Sequence, residues 1–122
     1  MELEVLPCDL TVCKVCSQND LPLDAPLFFV GKTDEELSLV CRTEDAPRAT
    51  VAREDGWRGF RILGTLDFSL IGILSRITGA LADNGISVFA VSTFDTDYVL
   101  VKATDLSRAL DVLSESGFTV AE

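Results

Sequence analysis

The most regular alternation of apolar and polar positions lies in the second half of the chain. It predicts a strand over 60–66. Apolar positions then recur at helical spacing over 70–84, and Asn84-Gly85 is a typical helix end. This half of the chain therefore opens with a strand followed by an amphipathic helix.

The rest of the second half contains four further predicted elements. A short turn containing Asp95-Thr96-Asp97 separates two β-rich runs. The further predicted elements are strand 86–93, strand 98–103, a helix capped by Thr104 or Asp105 and ended by Gly117, and strand 118–120. The order βαββαβ indicates an α+β, ferredoxin-like unit with two helices on one face of an antiparallel sheet.

The first half repeats this pattern in a degenerate form. A shift of 61 positions superimposes Asp34 and Leu37 on Asp95 and Tyr98. The repeat predicts a strand over 10–16, a hairpin of 27–32 with 37–42, and a short helix over 47–54. Its first helix is missing, because Pro22 and Pro26 oppose a regular helix in the connection 17–26.

This repeat predicts two units packed together, a degenerate N-terminal unit over 1–59 and a complete C-terminal unit over 60–122. No Ser/Gly-rich or charged linker separates them. The alternative is a single βαββαβ domain preceded by an all-β extension.

Composition and charge narrow the function. The chain has 122 residues, 48% of them hydrophobic, and a net charge of −10. Nucleic acids and anionic membranes need a basic protein surface, so neither is an expected partner. The first residues lack the basic start and apolar core of a signal peptide, and no apolar run approaches the ~20 residues of a membrane span. We therefore expect a cytoplasmic protein.

The chain has few side chains suited to catalysis or to metal binding. The chain has no histidine, so the usual general base and the commonest metal ligand are absent. Cys13 and Cys16 form a C-x-x-C pattern, but positions three apart on a strand point to opposite faces. We expect ordinary thiols, no metal, no cofactor and no enzymatic activity.

Two segments resemble the ACT domain family: the junction Asp67-Phe68-Ser69-Leu70-Ile71-Gly72 and the run Ser92-Thr93-Phe94-Asp95-Thr96-Asp97-Tyr98. The variety is that of the cytosolic arginine sensor of animal cells and of small bacterial tandem-ACT proteins. The resemblance covers about residues 10–122. It implies a regulatory module that binds amino acids or other small effectors at interfaces between ACT units. Such modules usually work as dimers or as pairs of units, and we expect a homodimer here.

The junction also has a physical rationale as a carboxylate site. Backbone N–H groups at the start of a helix lack partners within the helix and favour negative charge. We expect those of Ser69, Leu70, Ile71 and Gly72 to hold an α-carboxylate, and Asp67 to accept an α-ammonium group. The alternative is that Asp67 or Ser69 is only the N-cap of the helix.

The turn after the next strand supplies the other candidate ligand-binding residues. They are Ser92, Thr93, Phe94, Asp95 and Asp97. The two aspartates favour a basic ligand, although Asp and Thr are also normal turn formers. The leading hypothesis is a small-molecule binding regulatory module, and the alternative is an assembly or dimerisation module without a ligand.

Overall fold

The computed structural model describes residues 1–63 and 72–121, and the chain divides into two compact units. Residues 8–57 form one, which we call the inserted unit. Residues 1–7 and 58–122 form the other, which we call the split unit. The limits differ from the predicted 1–59 and 60–122, because the first residues of the chain group with the second half.

The inserted unit is a four-stranded antiparallel sheet. Its strands are β2 (Leu10–Lys14), β3 (Phe28–Lys32), β4 (Leu37–Arg42) and the first part of β5 (Ala52–Ile62), in the spatial order β3-β4-β2-β5. This is the strand order of a ferredoxin-like unit. Two single-turn 3₁₀ helices, Gln18–Asp20 and Thr43–Asp45, occupy the connections that would otherwise hold its helices. The prediction that the first helix is missing is confirmed.

The helix predicted over 47–54 is wrong. β5 begins at Ala52, and Val51 already donates its N–H to the carbonyl of Lys14 at 2.7 Å. The hydroxyl of Thr11, which is fully buried, donates to Asp55 Oδ1 at 2.6 Å. This hydrogen bond and Arg53 hold the pKa of the Asp55 carboxyl below its usual value. Pairing with β2 therefore overrides a weak local helix preference.

A bulge sets the register of β5. Leu10 lies opposite Trp57, whereas Val12 lies opposite Glu54, so β5 carries one extra residue over this stretch. Gly56 lies in the bulge with a φ of 82°, a conformation that residues with a side chain rarely adopt. The glycine allows the strand to continue past the bulge instead of ending there.

The described residues of the split unit form five strands and two helices. Its elements are β1 (Glu2–Val5), the second part of β5, α1 (Ile73–Asp83), β6 (Val88–Ser92), β7 (Asp97–Lys102), α2 (Leu106–Glu115) and β8 (Thr119–Ala121). The strand order is β6-β7-β5-β1-β8. Strand β1 lies antiparallel to β5 and parallel to β8. The predicted βαββαβ unit is thus present, with an additional strand between its first and last strands.

A hydrophobic cluster of described residues packs between this sheet and its helices. Each helix contributes two fully buried residues, Ile77 and Leu81 from α1 and Ala109 and Leu113 from α2. The sheet contributes Leu3, Phe60, Ile62, Val99 and Val101. The predicted α+β class and ACT-like fold are confirmed. No helix among the described residues has the length and apolar character needed to cross a membrane.

Equivalent elements of the two units lie 60 residues apart in the chain. The shift of 61 positions predicted from the sequence is therefore wrong by one residue. Strands β3 and β6 start at 28 and 88, and β4 and β7 start at 37 and 97. The single-turn helix Thr43–Asp45 corresponds in the same way to Ala103–Asp105. At this offset Leu39 matches Val99, and each belongs to the core of its own unit. A slip of one residue would pair side chains from opposite faces of the sheet.

The packing of β1 gives a first prediction. Leu3 has no exposed surface, so Leu3→Ala leaves a cavity in the core of the split unit. We expect a loss of about 2–4 kcal/mol in the free energy of unfolding, measured by urea denaturation. Leu23→Ala, at a side chain that is 69% exposed, is the matched control and should change stability by under ~0.5 kcal/mol. Equal effects would show that β1 is not part of this core.

Candidate functional site

The turn between β6 and β7 is held by its own side chains. Thr93 donates its N–H to the carbonyl of Thr96 at 2.8 Å, and its hydroxyl donates to the same oxygen at 3.0 Å. Ser92 Oγ donates to Asp97 Oδ1 at 2.6 Å. Three of the predicted site residues, Ser92, Thr93 and Asp97, therefore shape the hairpin. Their part in ligand binding stays a prediction.

The other two predicted residues of this turn point towards solvent. Asp95 is exposed, and Phe94 is 81% exposed. Asp95 is thus the acid of this turn that is most accessible to a cationic group from outside.

Thr96, which the sequence did not single out, connects this turn to β5. Its hydroxyl donates to the carbonyl of Ile62 at 2.8 Å, although the two residues are 34 positions apart. Ile62 is the last residue of β5 and comes shortly before the predicted junction Asp67–Gly72. The turn and the end of the strand that leads to the junction are therefore neighbours in space. Local sequence carries no signal for such a long-range bond.

The start of α1 is the described part of the junction. Gly72 is the N-cap, with a φ of 84°, and its carbonyl accepts the first helical hydrogen bond from Arg76 at 2.8 Å. The first-turn amides thus belong to Ile73, Leu74 and Ser75, and no described atom lies within 4 Å of a Cβ built on Gly72. Gly72 itself carries no side chain that would keep a ligand away from this backbone.

The remaining junction residues of the prediction lie outside the described residues: Asp67, Ser69, Leu70 and Ile71. The alternative that Asp67 or Ser69 caps the helix also falls on these residues and stays a prediction. Their proposed contact with a ligand is untested.

A charged group next to the end of β5 is already engaged. Arg61 Nε donates to Glu4 Oε1 at 2.7 Å. A hydrogen bond with Tyr98, followed by that with Glu4, raises the pKa of the Arg61 guanidinium. This side chain ties β1, β5 and β7 together on one face of the sheet. It acts as a structural group and not as a free cation for a ligand carboxylate.

The cysteines differ in their surroundings. Cys13 and Cys41 are buried in the core of the inserted unit, whereas Cys16 is exposed just beyond β2. Burial raises the pKa of the Cys13 thiol, and it raises that of Cys41 from 9.0 to about 11. A protonated thiol is a poor nucleophile. Among the described residues no group of three or more potential ligands converges on a metal position.

Comparison with known proteins places the chain in a family. The model of the ACT domain matches residues 52–115, which is more than half of the chain. The chain therefore belongs to the ACT-domain family, and the resemblance predicted from the sequence is confirmed at that level.

The curated relatives are longer than this chain. The cytosolic arginine sensor for mTORC1 subunit 1 of Rattus norvegicus is 40% identical over 95 residues, which is 72% of this chain and 29% of that protein. The Homo sapiens protein of the same name is 28% identical over 107 residues, or 82% of this chain and 32% of the relative. The chain thus spans under a third of the length of these relatives.

Solved structures resemble nearly the whole chain. Protein Atu0741 from Agobacterium tumefaciens is 30% identical with a TM-score of 0.87, covering 98% of this chain and 91% of that one. The aspartokinase α and β subunits give a TM-score of 0.65 at 12% identity, with 94% and 96% covered. The second similarity shows the fold alone.

Thr96 provides a test of how the turn is held. Thr96→Val removes the hydroxyl that bonds the Ile62 carbonyl and leaves the shape of the side chain almost unchanged. We expect the free energy of unfolding to fall by about 1 kcal/mol in urea denaturation. Thr119→Val, at an exposed position of β8, should have little effect. No difference between the two variants would mean that this hydrogen bond does not stabilise the turn.

The buried thiol of Cys41 predicts a pH dependence. In the unfolded chain this thiol ionises near 9.0, whereas in the folded protein it stays protonated up to about 11. The unfolded state then binds fewer protons over this range, so stability falls as the pH rises from 9 to 11, by on the order of 2 kcal/mol. Urea denaturation should show a flatter decline for Cys41→Ala than for Cys16→Ala. Parallel curves would contradict the assignment.

Proposed function

We propose that this ACT protein is a regulatory module that binds a free amino acid. The ligand is held at an interface between ACT units, with the junction Asp67–Gly72 and the turn 92–97 as its contacts. The observation that carries this proposal is the bond from Thr96 to Ile62, because it brings the turn close to the strand that leads to the junction. The start of α1, which follows the junction in the chain, supplies the backbone donors.

Each part of an amino acid has a proposed partner. The α-carboxylate takes the first amides of α1, with Gly72 leaving room for close approach, and Asp67 takes the α-ammonium group. Asp95, which is exposed, is suited to a basic side chain, since Asp97 is engaged by Ser92. The relatives named as arginine sensors support testing arginine first.

The same proposal includes the larger organisation. We propose a tandem of two ACT units, with the inserted unit degenerate, and a homodimer as the working form. The offset of 60 residues between β3-β4 and β6-β7 supports the tandem. We also propose a cytoplasmic, non-catalytic role, which agrees with the absence of histidine and with the cytosolic relatives. The activity and partners of those longer proteins remain proposals for this chain.

Thermal melting of the full chain against each of the twenty common amino acids tests this function. A ligand that binds only the folded state at 100 times its Kd adds about 2.7 kcal/mol of stability, which raises the Tm by several degrees. We expect a selective rise, greatest for a basic amino acid.

Matched variants locate the effect. Asp67→Ala should abolish the ligand-dependent rise, whereas the loss of a helix cap alone would lower the Tm equally with and without ligand. Asp111→Ala, at an exposed position on α2, should keep the full rise. No rise with any amino acid would contradict the proposed ligand class and favour an assembly module without a ligand.

A further inference from the structure

Strand β3 leaves one edge of the sheet of the inserted unit open. Within the described part of the chain β3 pairs only with β4, and it ends the strand order β3-β4-β2-β5. Val30 in the middle of this strand is 40% exposed, and Gly31 and Lys32 are exposed as well. An edge of this kind offers unpaired backbone N–H and C=O groups to a further strand.

The hydrogen bond that closes the β3-β4 turn shows which backbone groups face outward. Opposite residues of an antiparallel pair alternate between those that bond each other and those that do not. Thr33 donates its N–H to the carbonyl of Glu36 at 2.9 Å, so the next pair, Lys32 with Leu37, is not bonded. The carbonyl of Leu37 accepts instead from Val15, on its other side, at 3.0 Å. By the same alternation, the backbone groups of three residues of β3 point away from β4: Phe28, Val30 and Lys32.

Strand β3 lacks the features that usually protect an edge strand. Its pairing with β4 contains no bulge, and its first four residues include no charge and no proline: Phe28, Phe29, Val30 and Gly31. Pro26, shortly before β3, has no N–H and would end any further pairing on that side. The open edge is therefore a short apolar segment that carries its charge at one end, on Lys32.

We propose that this edge pairs with the same edge of a second copy of the chain, antiparallel and with a two-fold axis at Val30. In this register all outward-facing groups meet, because Val30 lies opposite Val30 of the second copy and Phe28 lies opposite Lys32. No like charges are opposed, and the lysine stem covers the aromatic ring. The edge is thus complementary to itself, as a two-fold interface requires. This interface serves the homodimer proposed above and does not depend on the amino-acid ligand.

Strand β6 of the split unit is the matched comparison within the same chain. It starts 60 residues after β3, and Thr93 donates its N–H to the carbonyl of Thr96 as Thr33 does to Glu36. Ala90 therefore occupies the position of Val30, and Ser92 that of Lys32. A strand pair formed at β6 would bury less apolar surface than one formed at β3, which favours β3 as the interface.

Charges placed at position 30 test the proposed register. Val30→Lys and Val30→Glu each oppose two like charges across the axis, so each variant should be monomeric in sedimentation velocity of the full chain. A mixture of the two variants opposes unlike charges and should restore a dimer. Ala90→Lys, at the equivalent position of β6, should remain dimeric like the unaltered chain.

Amide hydrogen exchange tests the same edge without any substitution. The N–H of Val30 should exchange at least ~10-fold more slowly at concentrations where the chain is dimeric than after dilution to the monomer. The N–H of Ala90 should exchange at the same rate in both. If a charged variant does not fold, this comparison decides.

The outcomes separate this interface from the homodimer itself. The interface is overturned if Val30→Lys stays dimeric, if the mixture of folded variants stays monomeric, or if the amides of Val30 and Ala90 behave alike. In these cases a dimer of the unaltered chain would use another surface. An unaltered chain that is monomeric at every concentration would contradict both the interface and the homodimer, whereas the melting test of ligand binding would be unaffected.

Discussion

The pairing of β5 is the constraint on which both units depend. This strand runs for 11 residues from Ala52 to Ile62, and its two parts are paired in different units. The first part pairs with β2, and the second part lies between β7 and β1. Phe60 and Ile62 then anchor the core of the split unit with almost no exposed surface. Strands β1, β2 and β7 all pair with β5.

Local periodicity predicted most of this architecture. Both hairpins, both helices of the split unit and the lack of a helix after β2 follow from patterns within about twenty residues. The chain also shows where such patterns fail. Strand β1 has only four residues and pairs with residues 60–62, so no local signal marks it. The false helix over 47–54 arose in the same way, because pairing with β2 decided its conformation.

Less of the candidate site than of the fold could be predicted from the sequence. Sequence identified the turn 92–97, which is present, but it placed the start of the helix at residue 70, whereas α1 begins at Ile73 after the N-cap Gly72. It did not identify Thr96, whose bond to the Ile62 carbonyl depends on the folded arrangement of β5 and β7. The type of a residue indicates which chemistry it can perform, but it does not indicate which other residues it contacts in the folded protein.

The central claim is that the folded chain binds a free amino acid at the start of α1 and the turn 92–97. An NMR titration that follows each backbone amide is the most direct test of this claim. A ¹H–¹⁵N correlation spectrum of the full chain, titrated with arginine and then with the other amino acids, reports each backbone amide separately. We predict saturable shifts concentrated at the amides of residues 72–75 and 93–96. A titration in which these amides stay fixed with every amino acid would contradict the account.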